Sequence, residues 1–283
     1  MHEFITVSGK KASRIGQGTW FLGDKRETRS QEIGALRAGI DAGLTLIDTA
    51  EMYGNGRSEN LVGEAIAPYD RENLFVVSKV LPHNAGGRDL TASCNDTLKR
   101  LGTDYLDCYL LHWRGGIPFE ETIEGMEKLK DEGKIRSWGV SNMDIEDMEE
   151  ILALPGGRDC VTNQVLYHLG SRGIEWGLIP LHQREGIITM AYCPLAQGGS
   201  LRRGLFSHSA VASIAAKHGT VPSAVLLAFT LCQTGVVPIP RSSSAAHTLA
   251  NARALDVHLD SEDLHMLDKA FPPPQVREGL DIV

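Results

Sequence analysis

The chain of 283 residues contains no apolar run approaching the ~20 residues needed to span a bilayer, which argues against a membrane role. Its start, Met1-His2-Glu3-Phe4, lacks the basic stretch followed by an apolar one that marks a secretory signal, so a cytoplasmic location is expected. The five cysteines (Cys94, Cys108, Cys160, Cys193 and Cys232) are odd in number, far apart and without a C-x-x-C pair. Reduced thiols fit that pattern better than a disulfide scaffold or a zinc site. The ten histidines form neither H-x-H nor H-E-x-x-H, so no metal site is expected. Net charge is −8 and the basic side chains are scattered, which argues against nucleic acid as a partner. The dinucleotide fingerprint G-x-G-x-x-G is also missing. Gly16-Gln17-Gly18 is followed three places on by Phe21, and Gly54-Asn55-Gly56 by Glu59. No composition break or long linker divides the chain, so residues 1–283 read as one domain.

What the chain does have is a rhythm of apolar runs and amphipathic stretches. Strands are expected near 44–48, 74–79, 105–111, 135–140, 161–164, 187–191 and 236–239, with another around 15–19. Helices are expected over 30–42, 58–67, 90–101, 119–131, 144–153, 175–185, 209–217, 222–233 and 244–255. Ser8-Gly9-Lys10-Lys11 reads as the turn of a short hairpin ahead of this series. Local chemistry sets several boundaries: Ser30 precedes the first helix, Ser58 opens the second, and Gly133 stops the helix over 119–131. About eight alternating units with near-continuous apolar strands favour a parallel sheet covered by helices. The expected fold is an α/β (β/α)8 TIM barrel with an N-terminal hairpin and extra helices near the C-terminus, at a length usual for that architecture. An open doubly wound sheet is the competing arrangement, but its fingerprint is absent.

Four of the runs stop on reactive or polar side chains. Leu46-Ile47 ends in Asp48, Phe75-Val76-Val77-Ser78 in Lys79, Tyr109-Leu110-Leu111 in His112-Trp113, and Trp138-Gly139-Val140 in Ser141-Asn142. Singly each has a plain explanation: a helix cap for Asp48, a solvated end for Lys79, a satisfied buried histidine for His112. Tyr53 could be a loop aromatic. Together, at one end of neighbouring strands, they form a connected set of acid, base and charge, where active sites of parallel barrels are built.

The stretch Asp48-Thr49-Ala50-Glu51-Met52-Tyr53-Gly54-Asn55-Gly56, with Val77-Ser78-Lys79, Leu110-Leu111-His112-Trp113 and Gly139-Val140-Ser141-Asn142, resembles the aldo-keto reductase family. The likeness runs from Gly16-Gln17-Gly18-Thr19-Trp20 to the last helix. Thr162-Asn163-Gln164 and the stretch from Leu166 to Gly173 resemble its bacterial methylglyoxal-reductase branch. The resemblance implies NADPH-dependent reduction of small or aromatic carbonyls, with NADH as the less favoured cofactor. It makes Tyr53 the proton donor, Lys79 and Asp48 its tuners, and His112 the group that orients the carbonyl. Chemistry agrees: a phenol with a pKa near 10 is a poor acid at neutral pH, and an adjacent ammonium is expected to lower it.

By the same likeness Ser141, Asn142 and Gln164 hold the nicotinamide carboxamide and Tyr192 stacks on its ring. Gly18, Thr19 and Trp20 border the cofactor. Cys193 stands where many relatives have serine, and Pro194, Leu195, Gln197 and Gly198 follow in the loop around the pyrophosphate. Ile239, Arg241, Ser242, Ser243 and Ser244 precede a helix, where an anion is favoured, and Arg241 could grip a 2′-phosphate through paired hydrogen bonds. His247 stands where arginine is frequent, and Asn251 matches an asparagine associated with adenine. Trp20, Met52 and Trp113 are expected to wall the substrate pocket, left open by a short tail after Phe271. The partner expected is a small-molecule carbonyl, on a monomer or weak dimer. Two other readings compete: a nucleotide-binding regulatory subunit with little turnover, and a barrel aldolase or isomerase using Lys79 as a Schiff-base nucleophile.

Overall fold

The computed structural model describes residues 4–283. Strands β1 (Phe4–Val7) and β2 (Lys10–Ser13) form the expected antiparallel hairpin, Phe4 lying opposite Ser13. Ser8 and Gly9 turn it with φ of 46° and 80°, the left-handed pair that matches the twist of a two-residue hairpin.

Eight parallel strands then pair in chain order: β3 (Gly16–Gly18), β4 (Leu46–Asp48), β5 (Phe75–Val80), β6 (Cys108–Leu111), β7 (Trp138–Ser141), β8 (Cys160–Leu166), β9 (Ile188–Tyr192) and β10 (Val236–Pro238). The ring closes where Gly18 N–H donates to the Pro240 carbonyl at 3.1 Å. A Cβ on Gly18 would lie 2.8 Å from the Ile239 carbonyl oxygen, so only glycine lets the first and last strands approach this closely. The sheet is the barrel the sequence predicts.

Helices cover its outside: α1 (Arg29–Asp41), α2 (Arg57–Ile66), α3 (Gly87–Leu101), α4 (Phe119–Asp131), α5 (Ile145–Ala153), α6 (Leu178–Glu185), α7 (Gly199–Ser207), α8 (Ser209–Lys217), α9 (Pro222–Cys232), α10 (Ala245–Ala252) and α11 (Ser261–Ala270). Two of them, α7 and α11, fall outside the expected helical stretches. Gly198-Gly199 obscures the start of α7, whereas α11 begins at a capping box of Asp260 and Asp263 that sequence reading passed over. The expected helix 175–185 splits at Gly177 into a 3-10 turn (Gly173–Trp176) and α6, and 244–255 splits into α10 and a second turn. Residues 105–107 and 135–137, expected as strand, lie outside the regular strands. They join the sheet through a Leu106–Ile135 bridge and through the Asp107 N–H to Val76 carbonyl and Tyr109 N–H to Ser137 carbonyl bonds at 3.0 and 3.1 Å.

Strand alternation separates two apolar regions. Leu46, Phe75, Val77, Cys108, Leu110, Met190 and Val237 fill the barrel, and Val7 and Ala12 of the hairpin plug its N-terminal end. Val76, Tyr109, Val140 and Val165 face the helices. Helix α9 is buried along Ala224–Leu231 between neighbouring elements, which explains its all-apolar sequence. Among the described residues no single helix is long and apolar enough to cross a membrane. With the hairpin closing one end, the polar strand ends gather at the other.

Candidate active site

Lys79 shares the inward phase of Val77, two residues earlier on β5, and Asp48 that of Leu46 on β4. The Lys79 ammonium is wholly buried and has three acceptor groups. Its Nζ lies 2.8 and 2.9 Å from the two Asp48 carboxylate oxygens, 2.8 Å from the Thr49 carbonyl and 3.0 Å from the Tyr53 hydroxyl. Gln164 Nε2 donates to Asp48 Oδ1 at 2.7 Å from across the barrel. The ion pair is therefore hydrogen-bonded on both sides, as burial demands. Lys79 does not reach the cleft surface and its ammonium is committed, which disfavours the Schiff-base role.

Tyr53 is carried by the loop beyond β4. Gly54, Asn55 and Gly56 adopt φ of 58°, 53° and 82°, turning the chain sharply into α2. Arg100 packs so close to Gly56 that a Cβ there would meet its Cδ at 2.5 Å. Below the loop, Ser58 Oγ donates within a buried cluster to the Thr19 carbonyl at 3.0 Å, while Thr19 Oγ1 donates to the Asp48 carbonyl at 2.9 Å. These bonds tie the starts of α2 and the loop after β3 to the strand bearing the carboxylate.

The Tyr53 phenol differs from expectation. Burial, with Asp48 and then Cys193 adding to it, pushes its pKa well above the ordinary phenol value. Burial also pulls Lys79 down, opposed by Asp48 and Glu59. Because Asp48 neutralises the ammonium, the phenol feels little net positive charge and keeps its proton. His112 sits edge-on to Tyr53, ring centroids 5.8 Å apart. Burial first, then the Lys79 charge, drive its pKa to about 2, so the imidazole is neutral. His112 Nδ1 is buried without a partner, leaving Nε2 as the ring nitrogen able to meet a ligand.

These groups floor a cleft of about 910 Å³ that runs from Trp20, Phe21, Met52 and Trp113 past Ser141, Asn142, Gln164 and Tyr192 to Arg241 and Asn251. Four of its lining residues, Phe21, Asn142, Cys193 and Ala196, have positive φ (66°, 58°, 49° and 56°). Such strain in non-glycine residues collects where ligands are held.

Residues 14–271 match the Aldo/keto reductase family. The chain belongs to the aldo/keto reductase family. Over 269 residues it is 54% identical to methylglyoxal reductase YeaE of Escherichia coli (strain K12), covering 95% of this chain and 94% of that protein. A glyoxal reductase of Bacillus subtilis (strain 168) is 34% identical over 244 residues, covering 86% and 85%. The crystal structure of an aldo/keto reductase from Klebsiella pneumoniae in complex with NADP and acetate superimposes with a TM-score of 0.97 at 50% identity, covering 100% of both chains. This aldo/keto reductase is thus an NAD(P)H-dependent oxidoreductase.

The residues present suit an extended dinucleotide. The cleft is at the upper end of small-ligand sites in volume. Gly18, Thr19, Pro194, Leu195, Gln197, Ile239, Ser242, Ser243 and His247 line it as expected. Among the described residues no carboxylate pairs with Arg241, which lines the cleft, so its charge faces the site where an anion would sit. Two expected positions do not line it. Gly198 borders an adjoining cavity of about 520 Å³, and Ser244 instead precedes α10, its carbonyl accepting from Ser242 Oγ at 2.9 Å.

Sequence reading missed Phe21, Arg202, Phe206, Val221, Ser223, Ile282 and Val283, which also border the cleft. The segment after Phe271 therefore covers more of the mouth than its length suggests. Arg172 Nη1 donates to the Phe271 carbonyl at 2.6 Å and Ser171 Oγ to Asp281 at 2.5 Å, laying the segment back across the barrel end. Only the aromatic character of Phe21 and Phe206 gave any sign of these positions.

Proposed function

We propose that this enzyme, acting as a single barrel domain, reduces small and aromatic aldehydes and α-dicarbonyls such as methylglyoxal with NADPH. The observation that carries the reading is the Lys79 ammonium bridging Asp48 and the Tyr53 hydroxyl, at 2.8 and 3.0 Å, beneath a cleft bordered by neutral His112. The names of the Escherichia coli and Klebsiella pneumoniae relatives support the substrate and cofactor.

NADPH supplies the hydride to the carbonyl carbon. His112 would donate from Nε2 to the carbonyl oxygen, aiming it and stabilising the charge that grows there. Tyr53 would then hand its proton to that oxygen. The raised pKa keeps the phenol protonated until an alkoxide, a stronger base than phenolate, forms beside it. As the proton leaves, the Lys79 ammonium 3.0 Å away stabilises the phenolate, and Asp48 keeps that ammonium charged in its buried site.

Ser141, Asn142 and Gln164 would seat the nicotinamide amide with Tyr192 against the ring, and Gln197 would border the pyrophosphate. Arg241, Ser242 and Ser243 would take the 2′-phosphate, and Asn251 would face adenine. Trp20, stacked on Phe21 at 4.4 Å, would with Met52 and Trp113 wall the substrate. We place the enzyme in the cytoplasm, as a monomer or weak dimer. The test is Tyr53→Phe, followed through nicotinamide absorbance with methylglyoxal. Turnover should fall by at least ~100-fold while NADPH affinity stays near wild type; near-normal turnover would remove Tyr53 as the acid.

A further inference from the structure

Asn142 is central to the proposed nicotinamide seat yet holds an unfavourable backbone. Its φ is 58°, its Nδ2 donates to the His112 carbonyl at 3.1 Å and to Ser141 Oγ at 3.2 Å, and its Oδ1 accepts from the Tyr192 hydroxyl at 2.9 Å. One side chain thus spans the ends of three strands. A left-handed residue with a Cβ persists only where its surroundings over-determine it.

The restraint lies behind the cleft. Gln164 faces the cleft, so Asn163, its neighbour on β8, faces the helix layer, where it is wholly buried and outside the cleft lining. Asn163 Nδ2 donates to the Met143 carbonyl at 2.8 Å, and Met143 N–H donates back to Asn163 Oδ1 at 3.4 Å. A single carboxamide therefore grips both backbone polar groups of the residue after Asn142. On the other side Asn142 N–H donates to the Gln164 carbonyl at 2.9 Å, so the left-handed residue is pinned at both peptide bonds.

The carboxamide is itself oriented. His182 Nε2 lies 3.3 Å from Asn163 Nδ2, which can only donate, so Nε2 accepts and Nδ1–H donates to Thr189 Oγ1 at 2.8 Å. Burial keeps His182 neutral, with its pKa pulled to about 4, preserving the acceptor. The chain Thr189–His182–Asn163 links β9, α6 and β8 to the turn after β7.

We propose that Asn163, oriented by His182 and Thr189, is a positioning residue that fixes Asn142 and through it the nicotinamide end of the cofactor site. The proposal rests on the cofactor reading above. The amide selects one backbone geometry at Asn142, and that geometry points its side chain at His112 and Tyr192. Without the clamp the nicotinamide ring should rock, and the carbonyl should no longer meet one ring face alone.

The test uses Asn163→Leu, an apolar replacement of similar size. NADPH binding to the otherwise ligand-free protein is read by quenching of tryptophan fluorescence, Trp20 and Trp113 bordering the cleft. Stereospecifically deuterated NADPH then reports, by mass spectrometry of the alcohol, which hydrogen is transferred. The expected result is binding weakened about ten-fold (~1.4 kcal/mol) together with transfer from both ring faces. If Asn163→Leu does not fold, His182→Leu, which removes the orienting acceptor and its bond to Thr189 but leaves the Asn163 carboxamide in place, should give a smaller shift in both readouts. Wild-type binding in the folded variant overturns the proposal. So does weakened binding with stereospecificity intact, because general softening would do the same. Failure of the wild-type protein to bind NADPH would overturn the cofactor reading instead.

Discussion

Replacing Lys79 with methionine should destabilise the fold and stop turnover, and a second substitution should separate the two effects. Methionine keeps most of the buried stem, so the chief change is electrostatic. Asp48, 2% exposed, would retain only the Gln164 Nε2 bond at 2.7 Å against its charge. Breaking a buried pair from one side costs about 3–5 kcal/mol, because the remaining ion is neither solvated nor paired. The Thr49 carbonyl and the Tyr53 hydroxyl also lose their donor, at about 1 kcal/mol each. For a chain of this size 1 kcal/mol moves the melting temperature by about 2–4 °C, so Lys79→Met should melt lower by roughly 10–28 °C. Adding Asp48→Asn removes the stranded charge and should return about half to two-thirds of that loss. Turnover should stay lost in the double variant, since nothing then stabilises a Tyr53 phenolate. Scanning calorimetry reads the first effect and nicotinamide absorbance the second. If the double variant melts as low as Lys79→Met alone, packing carries the cost and the electrostatic reasoning is wrong.

Further outcomes can be checked directly. Arg241→Ala should weaken NADPH by about 1.5–3 kcal/mol, or roughly ten- to a hundred-fold, while leaving NADH affinity nearly unchanged, as read by fluorescence titration of both nucleotides. Burial pulls His182 from an ordinary value of 6.5 to about 4. The unfolded chain therefore binds more protons between those values, and stability is lost as pH falls through that window. The share from His182 is about 3 kcal/mol, and urea unfolding of His182→Leu should show a flatter pH dependence. Trp113→Ala should raise KM for an aromatic aldehyde about ten-fold while barely moving that for methylglyoxal, because only the larger ring has apolar area to lose. Equal effects on both would place Trp113 outside the substrate wall.

Much of the architecture was legible in advance. Apolar runs of strand length between amphipathic stretches predicted eight parallel strands, and the polar residues ending four of them predicted the end at which the cleft opens. That Asp48, Lys79 and His112 come together at that end followed from strand period, whereas their proposed roles came from the family resemblance. Less visible were elements with weak local signals. Helix α7 begins at two glycines, and the Asp260–Asp263 capping box of α11 is an acidic version of a pattern more readily seen with serine or threonine. Ile282 and Val283 lie in a segment without periodicity, tied down by Ser171 bonding Asp281, 110 residues on, and by Arg172 bonding Phe271, 99 residues on.

The sequence by itself determined the order of elements, the face of each strand and the identity of the chemical groups at the barrel mouth, because those follow from local periodicity and residue type. Only the tertiary structure decided the direction in which the Tyr53 pKa moves, the commitment of Lys79 to Asp48, Thr49 and Tyr53, and the clamp that Asn163 places behind Asn142. The physical reason is common to all three. Desolvation and hydrogen-bond valence depend on what the closed barrel brings within 3 to 4 Å of an atom, and that neighbourhood is assembled from segments far apart in the chain.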